Sequence, residues 1–195
     1  KAARQVATGP GHGVLCDGRL GRDALHAAAG TGLWIGRPVE LPGSRPLRTE
    51  PEIGDDFGGL SEWPLGHVVK TLCFCHPDDD AAMWADQIAT VQRLFHAARR
   101  NRLEFLLEVV PSRVGPVRDD TTPRIIDRFY AAGVFPDWWK LEPFTTRAAW
   151  SNAAEALRRN DPHTRGIVVL GLDASEAELA ASFALAAREP LVKGF

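Results

Sequence analysis

Seven short runs of β-branched and aliphatic residues punctuate the sequence: Gly13–Cys16, Gly32–Gly36, Val68–Cys75, Leu103–Val110, Trp138–Leu141, Gly166–Leu172 and Leu191–Phe195. Most are followed by an amphipathic helical stretch before the next run begins. Repeated βα units demand parallel strands, and parallel strands demand helices over their faces. The expected fold class is therefore α/β. Strand starts fall roughly every 20 to 35 residues, the spacing of a (β/α)8 TIM barrel, which takes about 250 residues for eight units. Seven units in 195 residues imply an incomplete barrel, with residues 1–195 as one partial domain that lacks the first strand and the last helix. A flavodoxin-like open sheet is the alternative; it needs fewer strands but leaves the polar residues repeated at strand ends unexplained.

The helices are well marked. Between Asp80 and Asn101, Trp84, Ile88, Val91, Phe95 and Ala98 follow a helical apolar period, with Asp78–Asp80 at the start and Arg99–Arg100 at the negative end of the dipole. Pro123 to Ala132 carries Ile125, Ile126 and Phe129 and stops at Gly133, and Thr146 to Arg159 stops before Asp161-Pro162. Ser175 and Glu178 form a capping box for an Ala-rich helix that ends before Pro190. The Pro- and Gly-rich stretch Pro42–Pro64 is expected to be a loop over one barrel end.

Composition narrows the function. With 23 Lys+Arg against 25 Asp+Glu and a net charge of −2, the chain has no basic field for nucleic acid or an anionic membrane. No apolar run approaches the ~20 residues of a membrane span, and Lys1-Ala2-Ala3-Arg4 leads into Gly9-Pro10-Gly11 without a secretory core, so a cytoplasmic protein is expected. Three cysteines are an odd count, which favours reduced thiols; Cys73-Phe74-Cys75 has C-x-C spacing rather than that of a zinc or redox motif.

In a parallel barrel, side chains alternate between lumen and helix layer, and reactive groups collect at the C-terminal strand ends. Lys70, Glu108, Lys140, Glu142 and Asp173 lie inside or close such strands. Buried unpaired charge costs several kcal/mol, so a lumen that holds Lys and Glu must pair them or use them. One reading is a structural ion-pair layer. The other starts from Lys140: beside a second cation, Lys70, in a low dielectric, a lysine releases its proton more readily and its amine can attack a carbonyl carbon. Glu108, on the strand between them, would shuttle protons, which is the constellation of a Schiff-base aldolase.

Asp17-Gly18-Arg19, Gly21-Arg22-Asp23-Ala24-Leu25, Gly32-Leu33-Trp34-Ile35-Gly36-Arg37-Pro38-Val39-Glu40, His76-Pro77-Asp78-Asp79, Asp137-Trp138-Trp139-Lys140-Leu141-Glu142-Pro143 and Gly171-Leu172-Asp173-Ala174 resemble the aldolase-like domain fused behind a sugar kinase, 5-dehydro-2-deoxygluconokinase, in bacterial myo-inositol catabolism. That domain is similar to class I tagatose-bisphosphate aldolases, which are TIM barrels with a Schiff-base lysine. The resemblance implies Lys140 as that lysine, Glu108 and Lys70 as its catalytic partners, and Asp17 and Arg19 as members of an Asp-Glu-Arg motif in which Gly18 replaces Glu. It further implies cleavage of 6-phospho-5-dehydro-2-deoxygluconate to dihydroxyacetone phosphate and malonate semialdehyde, with no metal or other cofactor. The implied partners are a small-molecule sugar phosphate, a covalently fused kinase domain and further copies of the chain in a homo-oligomer.

Arg37, His76, Glu142 and Asp173 complete the candidate substrate-binding set: Arg37 for a carboxylate or phosphate, and His76 for its place at a strand end. A loop histidine bonded to a neighbouring carbonyl is the alternative for His76. Cys73, Cys75 and His76 beside Asp78–Asp80 offer metal-ligand types, but if Lys70, Leu72 and Phe74 face the lumen, the thiols face the helices and the aspartates serve the helix cap. Trp138 and Trp139 are expected to pack, with at most one in the lumen. A noncatalytic barrel that binds a sugar phosphate and regulates an attached kinase is the alternative function; a zinc-dependent lyase is a third.

Overall fold

A computed structural model describes residues 11–171 and 174–195. The strands are β1 (Gly13–Leu15), β2 (Trp34–Pro38), β3 (His67–Cys73), β4 (Glu104–Val109), β5 (Trp138–Leu141), β6 (Gly166–Val169) and β7 (Val192–Gly194). The helices are α1 (Arg22–Ala28), α2 (Ala81–Arg100), α3 (Thr121–Ala131), α4 (Arg147–Asn160) and α5 (Glu176–Ala186). Every neighbouring strand pair is parallel and the sheet order is β1-β2-β3-β4-β5-β6-β7. A flavodoxin-like sheet reverses direction at a switch point; this one advances by one strand each time.

The sheet is curled. The Trp34 ring on β2 and the Trp138 ring on β5 meet edge to face with centroids 6.0 Å apart. In a flat sheet three strand spacings would separate them by about 14 Å, so the two indoles face each other across a concave interior. Gly36 makes room for them: a Cβ there would lie 2.5 Å from a Leu15 methyl and 3.1 Å from the Trp34 ring.

Helices cover the convex face. Asp80 caps α2, its side chain accepting from the Met83 N–H at 2.7 Å, and Thr146 caps α4 in the same way. The Ser175–Glu178 capping box is present at α5. In the layer between helices and sheet, Trp84 meets Phe129 and Phe95 meets Phe105 edge to face, and Trp139 packs tilted against Phe129 and Tyr130. Trp139 is fully buried there and donates to the Tyr130 hydroxyl at 3.0 Å, whereas Trp138 is the one tryptophan of the pair that enters the concave side. Cys73 and Cys75 are free thiols in the helix-side core, and burial pushes the Cys75 thiol up.

Two elements differ from the sequence reading. The short helix α1 follows β1, where only seven residues, with Leu25 and Ala28 buried, were too few to announce a period. The stretch Pro42–Pro64 is more than a loop over an end. Its Thr49 bridges back to Glu40, it forms 3-10 turns at Pro51–Ile53 and Gly58–Glu62, and it buries Leu47, Ile53, Phe57 and Leu60 in the main core. Between β2 and β3 these turns take the covering role that an α-helix takes in other units.

Candidate functional site

Register decides which side chains share a layer of the concave face. Lys70, Leu106 and Trp138 lie side by side on β3, β4 and β5, and one layer nearer the C-terminal strand ends lie Leu72, Glu108 and Lys140. Burial alternates along β5, with Trp138 and Lys140 half-buried and Trp139 and Leu141 buried, as expected when the first pair faces an open interior and the second faces helices. Pro38 pairs with Lys70, so Glu40, two residues further on, falls on the same face as Pro38.

Lys70 is long enough to reach up from its own layer between two carboxylates. Its Nζ lies 2.7 Å from Glu108 Oε2 and is also bonded to Glu40 Oε1. Lys140 Nζ is 3.3 Å from the other oxygen of Glu108. Glu40, Lys70, Glu108 and Lys140 thus form a row of alternating charge, with side-chain exposures of 9%, 8%, 4% and 12%. Burial alone would lower the proton affinity of Lys70, but Glu40 and Glu108 outweigh it and hold the ammonium above the ordinary lysine range. Lys70 is therefore a fixed cation one carboxylate away from Lys140.

The row opens into a cavity of about 730 Å³ whose wall includes Asp17, Arg19, Arg37, Glu40, Lys70 and Lys140. A second cavity of about 710 Å³, lined by Trp34, Trp138 and Val168 among others, also reaches Lys140. Of the described lysines, Lys140 is the one that touches both. Asp17 is committed to its turn: Oδ1 accepts from the N–H groups of Leu20 at 2.5 Å and Arg19 at 2.8 Å. These bonds, that from Leu20 foremost, hold its carboxyl below the usual range and fix the loop that carries Arg19 to the rim.

Arg37 falls inside β2, because the strand runs two residues further than the Gly32–Gly36 run. Its guanidinium lies 3.8 Å over the Trp63 ring, and its buried Nε has no partner among the described residues. Burial lowers its proton affinity, opposed by Glu52. A Cβ at Gly18 would come within 3.0 Å of Arg37 Nη2, so glycine there leaves the guanidinium its space.

Two sequence candidates lie elsewhere. His76 is 5% exposed, its Nε2 lies 3.0 Å from the Pro116 carbonyl, and its Nδ1 faces the Asp78 N–H at 3.3 Å. Glu142 accepts from the N–H of Ser112 at 3.1 Å and from its hydroxyl, beside a separate cavity of about 230 Å³. Asp173 lies outside the described residues. Among the described residues no three His, Cys, Asp or Glu side chains gather as a metal-binding set. Glu40 is the residue that the sequence reading passed over. Continuing the period of two from Gly36 through Pro38 would have placed it in the row.

No curated protein matches the chain. Among solved structures it is similar to Cgl0159 from Corynebacterium glutamicum, with a TM-score of 0.61 and 21% sequence identity over 95% of this chain and 63% of that one. The chain therefore spans less than two thirds of that protein, and the likeness is one of fold: a parallel α/β sheet curled like part of a barrel. A family model matches residues 1–195 from end to end, and the chain belongs to the bacterial family described as "Uncharacterized protein conserved in bacteria (DUF2090)".

Proposed function

We propose that this chain carries the active site of a class I aldolase built on a (β/α)8-type scaffold, a carbon–carbon lyase that forms a Schiff base through Lys140. The observation that carries the reading is the placement of Lys140. Lys140 lines both cavities, and its amine is 3.3 Å from a carboxylate whose other oxygen pairs with a second lysine.

Glu108 takes a proton from the Lys140 ammonium while the Lys70 charge remains beside it. The free amine adds to the substrate ketone, and the carbinolamine loses its hydroxyl as water once Glu108 returns the proton. The iminium then draws the electron pair of the adjacent C–C bond. An aldehyde leaves, an enamine remains, and protonation and hydrolysis of the enamine release the ketone product and restore Lys140. No step requires a metal or an organic cofactor.

Following the resemblance, the substrate is 6-phospho-5-dehydro-2-deoxygluconate, the ketone product dihydroxyacetone phosphate and the aldehyde malonate semialdehyde. Arg37 and Arg19 at the rim suit its carboxylate and phosphate groups. The same reading places the protein in the cytoplasm as a homo-oligomer joined to a carbohydrate-kinase domain.

A second reading is favoured by the engagement of Glu108, whose two oxygens are each already paired with a lysine. In that reading the row is a structural layer of a noncatalytic sugar-phosphate-binding barrel that regulates the attached kinase. Borohydride reduction of the natural full-length protein with substrate present separates the two. A stable mass adduct on Lys140 supports the aldolase; tight binding without adduct or cleavage overturns it and leaves the regulatory module.

A further inference from the structure

Retro-aldol cleavage through an imine calls for a proton acceptor at two places. One serves the lysine nitrogen, and the other takes the proton of the hydroxyl that becomes the aldehyde oxygen. Glu108 is fully occupied at the nitrogen: Oε1 faces Lys140 and Oε2 faces Lys70. Glu40 differs. One oxygen is bonded to Lys70, while Oε2 is buried and has no hydrogen-bond partner among the described residues. A buried acceptor left unmatched costs about 1–3 kcal/mol, and an isolated protein gains nothing by it. Glu40 is also part of the wall of the cavity that Lys140 lines, so a ligand there sits against a residue whose second carboxylate oxygen lacks a donor. Thr49 faces it across an isolated antiparallel bridge within the connection between β2 and β3, which holds the position of the Glu40 backbone.

Resting on the Schiff-base reading above, we infer that Glu40 is a further catalytic residue, binding the substrate hydroxyl β to the iminium carbon and accepting its proton as the C–C bond breaks. The O–H pair becomes the second bond of the aldehyde carbonyl. The C–C pair moves into the enamine, and the iminium nitrogen is neutralised. The proton resides on Glu40 Oε2 until the aldehyde departs. The substrate class this demands is a β-hydroxy ketone, one whose hydroxyl donates toward β2 while its carbonyl faces β5. Lys70 is paired with both carboxylates, so one cation stands beside two bases.

The test uses Glu40→Gln and Glu40→Asp in the natural full-length protein, with 6-phospho-5-dehydro-2-deoxygluconate as the probe. Two readouts are taken: borohydride labelling of Lys140 and steady-state cleavage. Loss of a general base lowers rate by about 100-fold or more, so Glu40→Gln is expected to lower kcat by that factor with KM within about threefold. Labelling of Lys140 persists, because imine formation does not use Glu40. If the variant cleaves within threefold of wild type, or if labelling is lost in step with cleavage while the protein stays folded, Glu40 is no base for the hydroxyl and acts only through Lys70. Should Glu40→Gln fail to fold, Glu40→Asp keeps the charge beside Lys70 but sets the oxygen back, and the same pair of readouts applies: retained labelling with reduced kcat supports the role, and unchanged kcat overturns it. Failure of wild type to be labelled overturns the Schiff base and this role together, which distinguishes it from failure of the Glu40 role alone.

Discussion

Replacing Lys70 with Met removes the cation from the middle of the charged row while keeping most of its volume. The contact with Glu108 at 2.7 Å is worth roughly 6 kcal/mol at an effective dielectric of about 20. Several kcal/mol of that are offset by the cost of desolvating the ammonium. What decides the outcome is the state left behind, because Glu40 stays buried at 9% exposure with its cation gone, and Glu108, at 3% exposure, keeps only Lys140, 3.3 Å away. Breaking one side of a buried pair costs about 3–5 kcal/mol, and that is the destabilisation expected in urea or guanidinium unfolding at neutral pH. The folded Lys70 binds its proton more tightly than the unfolded one. Its contribution is therefore fully present below the unfolded lysine value of about 10.4 and is lost as pH rises through the higher folded value. The gap between wild type and Lys70→Met should stay flat at neutral pH and narrow only in the alkaline range. A loss under about 1 kcal/mol, or a gap that closes between about pH 7 and 9, would refute the account of Lys70 as a clamped cation.

Asp80→Ala should cost about 1 kcal/mol in equilibrium unfolding, since it removes the bond from the Met83 N–H at the start of a 20-residue helix; a change below the error of the measurement would mean that the acceptor is replaced by water. Trp139→Ala should cost about 3–5 kcal/mol, while Trp139→Phe should lose only part of that, leaving the Tyr130 hydroxyl without its indole donor. Equal losses for the two would locate the effect in the hydrogen bond rather than in packing.

Strand and helix identity was legible because each βα unit carries two independent patterns, an aliphatic run and a capped amphipathic helix. Each of the seven runs overlaps a strand, and α2 spans Ala81–Arg100 where the Asp80–Asn101 period placed it. Strand ends were less legible. Apolarity faded after Gly36, yet backbone pairing with β3 continues through Pro38 and on to the Val39 N–H, which donates to the Lys70 carbonyl. That extension of two residues carries Arg37 into the strand and brings Glu40 beside Lys70. The cover made by Pro42–Pro64 was hidden for a related reason: Leu47, Ile53, Phe57 and Leu60 follow no fixed period, because 3-10 turns separated by bends bring them inward one at a time. The row of charge was anticipated for Lys70, Glu108 and Lys140, since polar residues in otherwise apolar strands stand out and i, i+2 alternation fixes their side. His76 illustrates the limit of that logic. Its position at a strand end is equally suited to a ligand or to a carbonyl, and only the fold brings the Pro116 oxygen to it.

The segment between β2 and β3 has a double allegiance. Ile53 and Leu60 press into the core, while Glu50, Glu52, Glu62 and Trp63 in the same stretch form the rim around Arg37. The cavity rim and local cohesion are consequently written into the same segment. If the rim binds substrate as proposed, a substitution there will also alter how tightly this segment packs, so changes of specificity in this family should travel with compensating changes in its apolar anchors.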